Sequence, residues 1–574
     1  MKIRLIIFGV FILSTLVTNF NWLPNGAFLG KEIALIGALS LLALVSLFYK
    51  EFCIKIKSID IVLGVFFIYI FFTILLKPNY FDTTKFFVIS LFFLLYYYLG
   101  GGFFKDNKQV KDLIIIFLTA FLFESLVGLM QYFGNLSVPL SERFFYVKGH
   151  FSNPAPFACF LSFGFTLGSG LLLFYPIGKL NKYILFLLSF LFVAVIILSK
   201  SRTAVLCCLF VLLYSLYCKY QHKLKKKFVF LFFSGIGIIS SLFLINLNTD
   251  SILGRFFIWK ISLKIIKDNF LTGIGFGNFQ PVYMEHQSEY FALVSHNSKE
   301  ALLADTINFA FNEFIQLFVE TGVIGFLLVI ILITIILYNL YKIKNRETVL
   351  LSALLLNFLL MSQFSYPLNE LPLLIILCTL LFLTRNYFST IYSKNSHYGL
   401  KLTVLSLAII IGMFWSRNTI KAYSSWSLSK SEAFGGNLNT SIRHFKIANK
   451  SLGNNGFFLF NYGASISEEG KCKIGKPILL KASKFYNEHY IWELLGDCQK
   501  TENFEEAEFY YKKAINMLPK KFVPNYKLFL LYKLHGKTKN AVYMANKILK
   551  KQIKIPSSEI EYIRLECSNF LSEL

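Results

Sequence analysis

Residues 312–341 read NEFIQLFVETGVIGFLLVIILITIILYNLY, a polar motif that runs directly into a long apolar stretch. From Gly322 onward the stretch is about 20 residues long, which is enough to cross the hydrocarbon core of a bilayer. Similar apolar runs recur through the first 416 residues. The pattern predicts an all-α protein with a polytopic transmembrane helical bundle of about 13 spans in residues 1–416.

The boundaries of these spans follow from the apolar runs. We expect them near residues 3–20, 32–49, 59–76, 86–104, 112–133, 156–175, 182–199, 203–218, 228–246, 322–341, 349–366, 371–388 and 401–416. The first run lacks a small-residue cleavage site after it, so we interpret it as a retained helix and not as a signal peptide.

Composition and charge support a membrane protein. The 574 residues are 55% hydrophobic and include 65 Phe, and the net charge is +26. In a soluble protein such a charge would indicate nucleic acid, but here the basic residues concentrate in alternate loops. This positive-inside pattern predicts a cytoplasmic amino terminus. With an odd number of spans, the long 247–321 loop and everything after Trp415 are then extracytoplasmic.

The polar tail, residues 424–574, has a helical repeat pattern. Large and small residues recur with a period of 34 that is typical of tetratricopeptide repeats; the matched positions include Trp492, Leu495, Ala507, Ala514, Phe529 and Ala541. We therefore expect a helical-repeat solenoid that follows the bundle and either binds a peptide or protein partner or merely covers the membrane domain. A Cys472–Cys498 disulfide is one option in an oxidising compartment. No metal-binding Cys or His spacing is present in the sequence.

The 247–321 loop combines cations with aromatic residues. Arg255 and Trp259 share one helical face, which fits either a helix that lies at the membrane interface or a site for a lipid-linked phosphate. The Gly273, Gly275 and Gly277 series predicts a turn that returns the chain to the membrane, since no strand precedes it as a dinucleotide motif requires.

Two other outward loops and one helix face carry polar groups. Lys200 and Arg202 lie in one short loop, and residues 146–154 form the other. Glu313, Gln316 and Glu320 fall at i, i+3 and i+7 and so share a helix face. Their carboxylates either work in a site or pair with Arg202 or Arg255. Glu124 and Gln131, also i and i+7, are expected to face the interior of the bundle.

Together these segments resemble the O-antigen ligase and polymerase superfamily of membrane glycosyltransferases. The matching segments are 149–154, 199–204, 255–259, 273–279 and 312–325, in the family's order. The resemblance implies transfer of a glycan from a polyprenyl diphosphate carrier to a hydroxyl of lipid A core or protein, at the extracytoplasmic face of the cytoplasmic (inner) membrane. It implies neither a metal nor another cofactor.

The resemblance also assigns roles to residues. Arg202 and Arg255 would bind the diphosphate and stabilise the leaving group. Substrate would be bound by Asn312, Gln316, Glu320, Lys148, His150, Asn153, Trp259 and His296. The family often has a His before the Asn-Glu pair, where this chain has Phe311. His296, His286, His150 or Glu313 could stand in as the base, and we favour Glu313.

Other functions stay open at this point. Within the same class, a repeat-unit polymerase and a protein O-oligosaccharyltransferase share the motifs. From other classes, the many spans also suit a transporter or flippase. The substitution at Phe311 suits an assembly factor that has lost activity.

Overall fold

The computed structural model of the protein describes residues 2–20, 22–47, 53–76, 83–103, 107–134, 147–221, 249–395 and 398–574. Its helices are α1 Lys2–Val17, α2 Gly26–Leu47, α3 Ser58–Leu76, α4 Thr83–Phe103, α5 Asn107–Tyr132, α6 Pro154–Phe174, α7 Lys179–Leu198, α8 Arg202–Tyr220, α9 Thr249–Asp268, α10 Phe279–Leu293, α11 Lys299–Leu303, α12 Glu313–Ile343, α13 Arg346–Ser362, α14 Leu371–Arg385, α15 Tyr398–Phe434, α16 Leu438–Leu452, α17 Gly456–Glu468, α18 Cys472–Phe485, α19 His489–Gln499, α20 Phe504–Met517, α21 Val523–Leu534, α22 Thr538–Lys550 and α23 Ser558–Ser572. The strands are β1 Cys53–Lys57 and β2 Thr390–Asn395.

The all-α polytopic fold is confirmed. Within the described ranges, eight helices are long and apolar enough to cross a membrane, and shorter apolar helices lie in α1, α4 and α14. The predicted span at 228–246 lies outside the described residues. The spans pack around a shared core that is rich in phenylalanine, which includes Phe11, Phe92, Phe121, Phe160 and Phe192.

The two ends of the bundle differ. At one end, β1 and β2 pair antiparallel from Cys53↔Asn395 to Lys57↔Thr390. Beside this ribbon, a buried ion pair joins Arg385 Nη2 and Asp60 Oδ2 at 2.6 Å. The positive-inside pattern predicts that the segments before α3 and after α14 lie on the same side of the membrane. The pairing of β1 with β2 shows that these two segments are in contact. We call the opposite end the motif face; it carries residues 147–153, 199–201 and 363–370.

A single helix links the bundle to the tail. α15 runs unbroken through residue 416, where the predicted membrane domain ends, and on to Phe434. The helices α16 to α23 then pack against their chain neighbours in sequence. Repeat positions such as Trp492, Leu495, Ala507 and Ala541 are buried between them. A disulfide joins Cys472 and Cys498, whose Cα atoms lie 5.4 Å apart.

The tail packs on residues 249–321, which we call the motif-bearing loop. The sequence did not predict this contact. One hydrophobic core includes Phe257 and Ile261 of α9 and Tyr283 of α10 together with Phe458 and Trp492 of the tail. Buried apolar surface of this kind is the main source of stability for such a contact. The loop and the tail therefore form one packed unit above the motif face.

Polar groups fix the register of this contact. The Gln280 side chain pairs with the Asn487 backbone in both directions, donating at 2.7 Å and accepting at 2.9 Å. The Gln287 amide donates to the Met517 carbonyl at 2.7 Å. Such bonds are directional, so they hold α10 in one position on the repeats.

Candidate active site on the motif face

The start of α12 is a capped turn. The Asn312 side chain accepts hydrogen bonds from the backbone N–H groups of Phe314 at 3.0 Å and Ile315 at 3.1 Å, as an N-cap residue does. Phe311, just before it, has a left-handed backbone with φ 53°. The turn places the Phe311 ring against Arg255, whose Cζ lies 5.6 Å from the ring centroid. The position of the family's usual histidine is therefore beside this arginine.

Among the described residues, Arg255 is a cation without a counter-ion. Its side chain is half-buried on α9. In the part of the chain that the structure describes, its guanidinium makes neither a hydrogen bond nor an ion pair. Burial lowers the pKa of this group, although a guanidinium stays charged in proteins. A charge that is removed from water without a partner is costly unless an anion binds there.

Trp259 holds α9 against the start of α12. Its indole N–H donates to the Ala310 carbonyl at 3.0 Å. Ala310 N–H in turn donates to the Gln316 side chain at 3.1 Å. Trp259 and Gln316 thus fix the turn on which Phe311 and Arg255 meet.

An apolar groove begins at this turn. The cavity has a volume of about 600 Å³. Asn312 and Gln363 form its polar end, where the Asn312 amide donates to Gln363 Oε1 at 3.2 Å. The apolar part is lined by Leu263, Ile266, Phe314, Ile315, Phe318, Phe326, Ile330, Ile333 and Leu359. Its lining residues extend along α12 to Thr334, roughly 30 Å at 1.5 Å per residue.

The glycine turn after α9 packs against a break in α12. Gly322 interrupts the helix with φ 64° and ψ −171°. A Cβ on Gly322 would lie 2.3 Å from the Leu271 carbonyl oxygen. Backbone bonds join the two segments, from Ile274 N–H to the Val319 carbonyl at 3.0 Å and from Gly275 N–H to the Glu320 carbonyl at 2.9 Å. The glycines therefore serve close backbone approach, as expected for a turn that returns the chain to the membrane.

The carboxylates on the polar face of α12 accept hydrogen bonds from the protein itself. One Glu313 oxygen accepts from Leu368 N–H at 2.7 Å. Glu320 is buried, accepts from the Gln316 amide at 3.3 Å, and receives the backbone N–H groups of Gly277 and Phe279. The face that the sequence predicted is thus formed, but its carboxylates bind the turns around them rather than an arginine.

The loop before α6 carries a second polar group. The Gln131 side chain accepts from Lys148 N–H at 3.0 Å and from Gly149 N–H at 2.9 Å, and it donates to the Gly149 carbonyl at 2.9 Å. Glu124 accepts from His150 through both the backbone and the ring. As predicted, Glu124 and Gln131 face inward.

Residues that sequence reasoning missed join this loop to the start of α12. Ser152 Oγ donates to Glu370 Oε1 at 2.6 Å. Tyr366 hydrogen-bonds to Ser152 and Asn153, and its ring lies 5.6 Å from that of Phe311. An isolated Glu370 and Tyr366 just before an apolar run were the available sequence signal.

Arg202 and His296, the remaining predicted site residues, lie on different parts of the molecule. Arg202 is half-buried at the first turn of α8 on the motif face. His296 lies at the tail contact, where its Nε2 is 2.8 Å from the Phe291 carbonyl and its Nδ1 is 3.2 Å from Lys547 Nζ. Burial, and then Lys547, lower the pKa of His296.

These features define an integral membrane protein. At one end of its helical bundle, a site combines the Arg255 guanidinium, which can bind an anion, with an apolar groove. The sequence model of the O-antigen ligase family matches residues 187–330, which run from the middle of α7 through the first half of α12. The resemblance inferred from the motifs is thereby confirmed. This match supports glycosyltransferase or ligase activity in glycan processing. No curated protein matches the sequence.

Proposed function

We propose that the protein transfers a glycan from a polyprenyl diphosphate carrier to an acceptor hydroxyl, as an O-antigen ligase does. The observation that carries this proposal is the Arg255 guanidinium, which has no ion-pair partner among the described residues and packs on Phe311, next to Asn312 at the polar end of an apolar groove. An isoprenoid chain is apolar and fits the groove, while guanidinium N–H groups bind phosphate oxygens bidentately. The donor head would then lie between Arg255 and the polar groove end at Asn312.

In the reaction, the acceptor oxygen forms a bond to the anomeric carbon while the bond from that carbon to the diphosphate oxygen breaks. The electron pair leaves with the polyprenyl diphosphate, and the hydroxyl proton passes to a base. Arg255, and Arg202 at the first turn of α8, would stabilise the negative charge that develops on the leaving group. Glu313, Gln316 and Glu320 position the turns that form the site.

We place this reaction at the extracytoplasmic face of the cytoplasmic membrane. The basic loops support a cytoplasmic location for the end with the β-ribbon. The Cys472–Cys498 disulfide supports an oxidising compartment for the tail. The acceptor is then a lipid A core or protein hydroxyl, and the tail, interpreted as tetratricopeptide-like repeats in residues 424–574, holds the acceptor or a partner protein.

The test follows lipid-linked glycan in cells that lack the protein and carry the wild type, Arg255→Ala or Lys260→Ala. Lys260 is the matched control because it lies on the same helix but is paired with Glu300 at 2.9 Å. We expect the donor to accumulate in the null and with Arg255→Ala, and not with Lys260→Ala. Removal of one oriented hydrogen-bond donor that stabilises developing negative charge lowers the rate about 10²–10³-fold.

The product that disappears identifies the acceptor and separates lipid ligation from a polymerase or a protein O-oligosaccharyltransferase. If donor and conjugates are unchanged in the null, the transferase proposal fails. A transporter or an inactive assembly factor would then account for the membrane domain.

A further inference from the structure

The loop between α5 and α6 presents one histidine on a buried carboxylate. Glu124 has no exposed surface. Its Oε2 accepts from His150 N–H at 3.1 Å, and its Oε1 lies 2.8 Å from His150 Nδ1. A carboxylate bound to Nδ1 selects the imidazole tautomer in which Nε2 carries the lone pair.

The surroundings leave that second nitrogen available. The His150 ring is 30% exposed and lies parallel to Phe123, with the ring centroids 5.8 Å apart. Among the described residues, no hydrogen bond to Nε2 is present. Within the described part of the chain, this ring is therefore oriented through one nitrogen and has no hydrogen-bond partner at the other.

The Glu124 and Gln131 side chains specify the backbone conformation of residues 148–150. Gly149 has φ +56°, and a Cβ there would lie 2.2 Å from Glu124 Oε2. Gln131 binds the backbone of Lys148 and Gly149 from below. Lys31 Nζ donates to the His150 carbonyl at 2.9 Å. So much built structure around one exposed ring exceeds what closing a turn requires.

The histidine belongs to the same face as Arg255. Two residues after His150, Ser152 binds Glu370 and Tyr366. The Tyr366 ring contacts Phe311, and the Phe311 ring contacts Arg255. Continuous contacts thus join the His150 loop to the turn where the leaving group would bind.

We propose that His150 is the general base of the transfer and that Glu124 is its positioning residue. This assignment rests on the proposed function. The acceptor hydroxyl proton passes to Nε2 as the oxygen bonds to the anomeric carbon, and the electron pair of the broken bond leaves with the diphosphate. Glu124 stabilises the imidazolium, which then releases its proton to water. His150 replaces Glu313, whose carboxylate is buried and bound to Leu368 N–H.

Charged and titratable groups lie around the segment that carries the histidine, on each neighbouring element. They are Lys31 from α2, Glu124 from α5, Lys148 in the loop, and Tyr366 and Glu370 before α14.

A neighbouring carboxylate stabilises the imidazolium and so favours the protonated ring. Replacing Glu124 by Gln should therefore move the acidic limb of the pH profile of transfer toward lower pH.

The test uses the full-length protein in proteoliposomes with lipid-linked glycan extracted from the null cells. The variants are His150→Gln, His150→Ala and Glu124→Gln, with His535→Gln as the control, because His535 lies in the tail, where its Nε2 is 2.8 Å from the Lys500 carbonyl. We expect His150→Gln to lose about 10²–10⁴-fold in transfer rate, the range for a general base, while donor binding is retained. Added imidazole should restore part of the rate of His150→Ala, and Glu124→Gln should move the acidic limb as stated.

The outcomes separate the two proposals. If the wild type consumes donor and Arg255→Ala does not, but His150→Gln keeps the wild-type rate and pH profile, the base assignment is overturned and the transferase stands. If the wild type itself consumes no donor, the proposed function fails. A loss in His150→Ala that imidazole does not restore, with an unchanged pH profile in Glu124→Gln, assigns the pair a structural role and overturns the proposal.

Discussion

Replacing Asn487 by alanine should loosen the tail from the motif-bearing loop. The Asn487 side chain is buried and makes three hydrogen bonds: to the Pro281 carbonyl at 3.3 Å, to Glu285 Oε2 at 3.1 Å and from Trp492 Nε1 at 2.8 Å. At about 1 kcal/mol net for each bond, the loss is about 3 kcal/mol. For a unit of 150–250 residues, 1 kcal/mol shifts the unfolding midpoint by about 2–4 °C, which gives roughly 6–12 °C.

The assay is thermal unfolding of the detergent-solubilised full chain, compared with Asn546→Ala. Asn546 is exposed on α22 and bonds only within its own helix, to the Val542 carbonyl at 3.0 Å, so its replacement should change stability by less than about 0.5 kcal/mol. A shift below 2 °C for Asn487→Ala, equal to that of the control, would refute the reasoning, because it would mean that water replaces these bonds without loss.

Two further predictions concern the turn and the tail contact. Gly322→Ala should lower the unfolding midpoint and the transfer rate, since φ 64° and a Cβ 2.3 Å from the Leu271 carbonyl both oppose it; Gly64→Ala, with open space around its Cβ, should be neutral or stabilising, and equal effects would contradict the argument. The pKa of His296 is lowered in the folded chain, so folding favours the neutral ring. The stability that the neutral ring contributes is complete above about pH 6.5 and is lost as the pH falls through the pKa of the folded state. The midpoint should therefore fall more between pH 7.5 and 5.5 for the wild type than for His296→Gln, and identical falls would exclude this histidine as the cause.

Much of the bundle could be predicted from the sequence because spanning helices are recorded locally, in runs of apolar residues. The interior position of Glu124 and Gln131 followed from the cost of burying polar groups in a span. The burial of Trp492 and Ala507 followed from the periodic pattern of large and small residues. These signals need no knowledge of which segments meet.

The candidate site was predicted less completely because it depends on contacts between distant segments. Tyr366 and Glu370 had no periodic signal, and their role appears only when the 147–153 loop lies beside them. Glu313 looked like a free carboxylate, but Leu368 N–H, 55 positions away, binds it. The docking of α10 on the tail was equally hidden, since Gln280 and Asn487 are ordinary polar residues in sequence.

The unbroken helix α15 has a mechanical consequence. The helix leaves the bundle and enters the tail without a hinge in its described part. The Gln280 side chain on α10 binds the tail a second time, so the tail is attached at two places. A body fixed at two points cannot swing toward a distant acceptor. If the protein transfers a glycan as proposed, the tail keeps a fixed height above the motif face, and the acceptor reaches the site at the distance that this height sets.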